Sequence, residues 1–143
     1  PIVDDQSSNL QRIKINCPVT SPVHVKKTLV LGASLNPDRY SNMAVKRLLL
    51  NNVNVKAIGS KTGTIDKVLI EKDFISFNNI HTITLYLNSV RQRDYYDYVI
   101  SLNPKRVIFN PGTENEEFYL LLKNESIDYI EACTLVLLST NQY

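Results

Sequence analysis

The stretch Lys27-Thr-Leu-Val-Leu-Gly-Ala-Ser-Leu-Asn-Pro-Asp-Arg-Tyr-Ser-Asn42 decides the fold. An apolar run, Leu29-Val30-Leu31, stops at Gly32. A polar loop follows, and an amphipathic helical pattern begins near Ser41. A buried strand, a tight turn and a helix start therefore come in one pass. Such a turn aims backbone N–H groups and the positive end of a helix dipole at one spot, which suits a phosphate. The stretch indicates an anion or nucleotide site before it indicates any chemistry.

The same alternation continues outward. Val53–Ile58 alternates with period two and ends at Gly59, a second strand. Thr62-Gly-Thr64 reads as a turn and Lys67–Ile70 as a possible short edge strand. Ile80–Leu87 reads as a third main strand, Arg106–Phe109 as a fourth and Ile127–Ile130 as a fifth. Helices are expected over Ser41–Asn51, Arg91–Leu102 and Glu114–Asn124. In the first, Met43, Ala44, Val45 and Leu48–Leu50 are expected to face inward. Thr134–Leu138 is apolar.

Strands alternating with helices of this length mean βαβ units. The expected class is α/β: a doubly wound, mainly parallel sheet of five strands with helices on both faces. Ligands of such sheets sit past the carboxyl ends of the strands, where strand order reverses. The loops of interest are then 32–40, 59–63, 88–90 and 110–115.

The totals narrow the function classes. The chain has 143 residues, enough for one domain with one core, expected over 27–143. Residues 1–26 read as a leader, flexible or forming one short strand over Leu10–Ile15. A net charge of +2 with scattered basic residues gives no reason to expect nucleic acid as a partner. No apolar run approaches the roughly 18 residues of a membrane span, and no signal peptide is visible. Cys17 and Cys133 form no disulfide framework and, with only His24 and His81 beside them, no metal-ligand spacing. A reduced, cytoplasmic setting is the default, and the oligomeric state stays open.

The loops limit the ligand. Gly32-Ala-Ser-Leu-Asn-Pro37 has only the first glycine of the dinucleotide fingerprint. Ser34 offers a hydroxyl; Ser41 or Asn42 either caps the helix or turns toward a phosphate. At the second strand's tip, proteins that bind NAD usually carry a carboxylate for the ribose hydroxyls. Here the tip is Gly59-Ser60-Lys61, a hydroxyl and an ammonium, which favours NADP or coenzyme A unless Lys61 is a solvated turn residue. The loop Asn110–Glu116 either holds a pyrophosphate or a pantetheine amide on the Gly112 and Thr113 N–H groups, or is a turn followed by a Thr113/Glu116 capping box.

Together, Val30–Pro37 with Arg39-Tyr-Ser41, Val55–Gly59, Phe109–Asn115 and Glu131-Ala-Cys-Thr134 resemble the small stand-alone CoA-binding proteins. These are single Rossmann-like domains similar to the CoA-binding domain of the succinyl-CoA ligase α subunit. The resemblance runs from about Lys27 to Leu138 and implies coenzyme A as the ligand. It implies that Gly32, Ala33 and Ser34 meet CoA phosphates, with Ser41 at the following helix start. Gly59, Ser60 and Lys61 would flank the adenosine and its 3′-phosphate. Asn88 would border the third strand's tip, and Gly112 and Asn115 the pantetheine side. The second-strand tip departs from the Asn-Pro form commoner in the family. The ligase's phosphorylated histidine has no counterpart, so the resemblance implies binding and not the ligase reaction.

Cys133 is the one residue suited to covalent work, as a thiolate in disulfide or thioester exchange. No basic residue adjoins it in sequence, and the apolar Leu135–Leu138 that follows favours a buried structural thiol. The expected function is therefore non-catalytic binding of CoA or an acyl-CoA. The alternatives are an NADP-dependent oxidoreductase and a regulatory or interaction protein with a vestigial nucleotide pocket.

Overall fold

The computed structural model describes residues 26–143. The leader's possible strand, Cys17 and His24 lie outside the described residues. The sheet is built from β1 (Thr28–Ala33), β2 (Val55–Gly59), β3 (Gly63–Ile65), β4 (Val68–Glu71), β5 (Thr82–Leu85), β6 (Arg106–Phe109) and β7 (Asp128–Glu131). Their spatial order is β3-β4-β2-β1-β5-β6-β7. Every neighbouring pair is parallel except β3 with β4.

The sheet thus has seven strands where five main ones were expected. The two additional strands are the β3–β4 hairpin. Lys67–Ile70 supplies β4, and the segment read as a turn supplies β3. Three residues carry no periodicity; Gly63–Ile65 is a strand because Thr64 and Ile65 pair across a tight turn with Leu69 and Val68.

The helices are α1 (Tyr40–Leu50), α2 (Ser89–Gln92), α3 (Tyr96–Leu102), α4 (Glu116–Asn124) and α5 (Thr134–Ser139). The single helix expected over Arg91–Leu102 is broken by a 3₁₀ turn at Arg93–Tyr95. In α1 the buried positions are Ser41, Asn42, Ala44, Val45 and Leu48, while Met43 and Leu50 face outward.

The strand β1 is central, and its residues Thr28–Leu31 are wholly buried. Alternate side chains of a strand leave opposite faces, so β1 divides two cores. Leu29 and Leu31 join Val99 of α3 and Phe118 and Leu122 of α4. Val30 and Ala33 join Val45 and Leu48 of α1 and Leu138 of α5. In the first core, Phe109 meets Phe118 and Tyr119 edge-on. Complete burial of such a ring contributes about 1.5–3 kcal/mol.

The order β2-β1-β5 places the reversal at β1. From β1 the chain moves to β2 on one side and later returns to β5 on the other. The tips of these strands, with that of β6, position the site.

Candidate functional site

The carboxyl end of β1 bends where the site begins. Register with β2 slips between Leu31 and Ala33, and Gly32 sits in this bulge at φ +90. A Cβ on Gly32 would stand 3.0 Å from the Tyr86 carbonyl group, so backbone conformation and space both call for glycine. The tip of β2 is closer still. A Cβ on Gly59 would lie 2.2 Å from the carbonyl oxygen of Ala33. The hairpin braces the first loop through Gly63, which packs on the Leu35 side chain.

The first loop is tied by its own side chains. The Asn36 N–H donates to Ser34 Oγ at 3.1 Å, and the Asp38 N–H to Asn36 Oδ1 at 2.9 Å. Asn42 Nδ2 donates to the Ser34 carbonyl at 2.9 Å, strapping the loop to α1. Ser34 Oγ accepts in this arrangement, which leaves its hydrogen able to donate outward. Arg39 is the N-cap of α1 and makes no side-chain cap. The first N–H groups of a helix have no carbonyl within it to reach, so those of Tyr40 and Ser41 are donors at this end.

A polar network fixes the opposite wall. Gln92 is fully buried, and its Nε2 donates to the carbonyls of Leu87 and Thr113, each at 2.7 Å. Its Oε1 accepts from Asn115 Nδ2 at 2.9 Å. One side chain thereby joins the loop after β5 to the loop after β6. Beneath them, Asn110 Nδ2 donates to Thr84 Oγ1 and the Leu85 carbonyl, and its Oδ1 accepts the Thr134 N–H at 2.8 Å.

These walls enclose a cavity of about 460 Å³. From β1 and α1 it takes Gly32, Ala33, Ser34, Arg39, Tyr40 and Ser41. From the β2 tip it takes Ser60. From β5 and α2 it takes Tyr86, Asn88 and Arg91, and from the loop after β6 Pro111, Gly112 and Thr113. No Asp or Glu lines it; its charged groups are the guanidiniums of Arg39 and Arg91. Burial pushes the Tyr86 phenol up to about 12. The Tyr86 oxygen is buried without a partner at hydrogen-bonding distance among the described residues.

Of the residues expected at a site, Gly32, Ala33, Ser34, Ser41, Ser60, Asn88 and Gly112 line this one cavity. Gly59, Lys61 and Asn115 do not. Gly59 is buried between strand tips, and Lys61 is exposed beyond Ser60. Asn115 is the N-cap of α4, its Oδ1 accepting the Phe118 N–H and its Nδ2 also donating to Tyr96. The Thr113/Glu116 capping box is therefore replaced by a cap two residues on. Asn88 caps α2 through Oδ1, which leaves its Nδ2 to donate.

The loop after β6 differs from expectation in its donors. The Thr113 N–H is taken by the Asn110 carbonyl at 3.0 Å. The Gly112 N–H donates to Glu114 Oε1 at 2.9 Å, so an exposed carboxylate already occupies that donor. Cys133 is partly exposed and outside the cavity lining. Arg39, Tyr40, Tyr86, Arg91 and Pro111 are lining residues that sequence reasoning did not single out as ligand contacts.

The donor-lined, carboxylate-free cavity lies at the strand-order reversal of a mainly parallel sheet, the place where α/β domains of this kind hold their ligands. The chain belongs to the CoA binding domain family, whose model matches residues 26–139. A solved structure described only as an uncharacterized protein is 41% identical, with TM-score 0.80, covering 82% of this chain and 98% of its own. A hypothetical protein from Pyrococcus horikoshii OT3 is 21% identical, with TM-score 0.72, covering 78% of this chain and 80% of its own. The protein called cell-free ID.343 from Thermus thermophilus is 17% identical, with TM-score 0.72, covering 82% and 91%. The last two are similar in fold alone. No curated protein matches the chain. Among the described residues no helix is long and apolar enough to cross a membrane.

Proposed function

We propose that this chain binds coenzyme A or an acyl-CoA without transforming it, in a doubly wound Rossmann-like site at the tips of β1, β2, β5 and β6. The observation that carries the reading is the cavity wall: hydroxyls, amides, an uncapped helix start and two guanidiniums, with no carboxylate. Its volume of about 460 Å³ falls in the usual ligand range of roughly 300–1,000 Å³. The residues present thus fit a phosphorylated nucleotide carrier. Ser34, Ser41 and the N–H groups opening α1 would meet phosphate oxygens, and Asn88 Nδ2 and the Gly112 loop would meet the rest of the ligand. Gly59 serves by letting the tips of β1 and β2 close. Lys61, outside the lining, would reach a 3′-phosphate that protrudes past Ser60. Asn115 would act through Gln92, holding the pantetheine-side wall. A binding role is supported by the Tyr86 phenol, which at about 12 is a poor proton donor near neutrality.

The test is thermal unfolding with CoA, dephospho-CoA and NADP. A ligand that binds the native state alone stabilises it by about 2.7 kcal/mol at a hundredfold excess over Kd. CoA should raise the midpoint most, and Lys61→Gln should abolish the difference between CoA and dephospho-CoA. A response to NADP with none to CoA would overturn the assignment.

A further inference from the structure

The geometry points to Arg39 and Arg91 as a pair that grips one diphosphate from two sides. Arg39 enters from the loop after β1, and Arg91 from α2, after β5. β1 and β5 are hydrogen-bonded neighbours with Leu31 opposite Leu85, so their tips lie about 5 Å apart. Two long side chains from adjacent tips, both lining one cavity, reach a single multivalent anion placed between them.

The charge pattern indicates the same ligand chemistry. Among the described residues neither guanidinium makes a hydrogen bond or an ion pair; the one such pair is Arg93 with Glu117, outside the cavity. Two like charges on a wall without a carboxylate repel each other until an anion arrives, and the guanidinium fork matches phosphate oxygens in pairs. A diphosphate presents several charged oxygens to both forks at once, whereas an amide presents a single neutral oxygen and a thiol none. Lys61 lies outside the lining, so these two arginines, and not the lysine at the β2 tip, supply the cavity's own positive charge.

This inference rests on the CoA reading only for the identity of the group that carries the diphosphate. Titration calorimetry on the full chain with inorganic pyrophosphate, ADP, CoA and pantetheine tests it. Pyrophosphate and ADP should bind and compete with CoA, and pantetheine, which has no phosphate, should not compete at equal concentration. Arg39→Gln and Arg91→Gln should each weaken pyrophosphate and CoA alike, by about tenfold or more. Arg→Lys at either position should recover part of the loss. Both side chains are exposed, so melting temperatures in the absence of ligand should stay at the parent value. Arginine-dependent pyrophosphate binding with no CoA binding would keep the pair and remove the CoA reading. Full-strength CoA binding by the double Gln variant would keep the CoA reading and overturn the pair. Failure of the parent chain to bind pyrophosphate or ADP would also overturn it.

Discussion

Gly59→Ala is expected to be the most damaging conservative change at the site. The added Cβ would stand 2.2 Å from the Ala33 carbonyl oxygen, with the Ala33 carbon at 3.1 Å and Ile70 Cγ2 at 3.1 Å. Ordinary van der Waals contact begins near 3.4 Å, so the tips of β1 and β2 must part by more than about 1 Å. The obstacle is backbone in the central strand pair, where Ala33 is registered against Gly59, and no rotamer change relieves it. Overpacking usually costs about 1–3 kcal/mol, and a backbone obstacle places this case near 3 kcal/mol. For a domain of this size the melting midpoint should fall by roughly 10 °C.

Two sibling variants isolate the cause. At Gly63 the obstacle is the Leu35 side chain, with Cδ1 and Cδ2 at 2.8 Å. That group can rotate, so Gly63→Ala should cost about 1 kcal/mol or less. At Gly112 nothing lies within 4 Å, but φ is +93. Gly112→Ala should therefore cost about 1–2 kcal/mol, from backbone strain alone. The assay is urea and thermal unfolding followed by far-ultraviolet circular dichroism, since the chain has no tryptophan. A Gly59→Ala midpoint within about 2 °C of the parent, or a Gly63→Ala loss larger than that of Gly59→Ala, would refute the reasoning.

Glu114→Gln removes the carboxylate that occupies the Gly112 N–H, and CoA affinity by calorimetry should rise by about two- to tenfold, the net worth of one exposed charge-assisted bond. Gln92→Leu leaves the Leu87 and Thr113 carbonyls and Asn115 Nδ2 without a buried partner, so urea denaturation should show a loss of about 3 kcal/mol. Burial holds the Tyr98 phenol up at about 12, as it does that of Tyr86, while an unfolded tyrosine ionises near 10. The folded state keeps the proton longer, so this stability is fully present below pH 10 and disappears as pH rises through 12. Denaturation midpoints should be flat up to about pH 10 and then fall, and absorbance at alkaline pH should show these two tyrosines ionising above the ordinary tyrosine range, with Tyr119, which burial and the Glu131 carboxylate raise further, later still.

The central strands were legible because burial leaves a compositional trace. Leu29-Val30-Leu31 and Val107-Ile108-Phe109 are apolar on both faces, as strands covered by helices must be. The β3–β4 hairpin was only half legible, since a three-residue strand exists through its partner rather than through its own pattern. The helix expected over Arg91–Leu102 carried the right apolar spacing, with Tyr98 and Val99 buried, yet no residue type marks the 3₁₀ break within it at Arg93–Tyr95.

The site shows a similar division. Glycines and small hydroxyl residues at strand tips could be read from their positions, and Gly32, Ser34 and Ser60 do line one cavity. Arg39 and Arg91 could not, because a cation's reach depends on helix phase and on which strand tips are neighbours. Asn115 has the residue type and location of a ligand contact. Only its hydrogen bonds to Gln92, Tyr96 and Phe118 make it a buried cap.

Asn110 bonds to Thr84, Leu85 and Thr134 below the cavity, entirely out of reach of solvent-facing change. Arg39, Tyr40, Asn88 and Arg91, by contrast, stand on the exposed lip. The foundation and the lip of the pocket are thus built from separate residues. Exchanges at the lip can change what the cavity admits while the buried support, and with it the fold, stays in place.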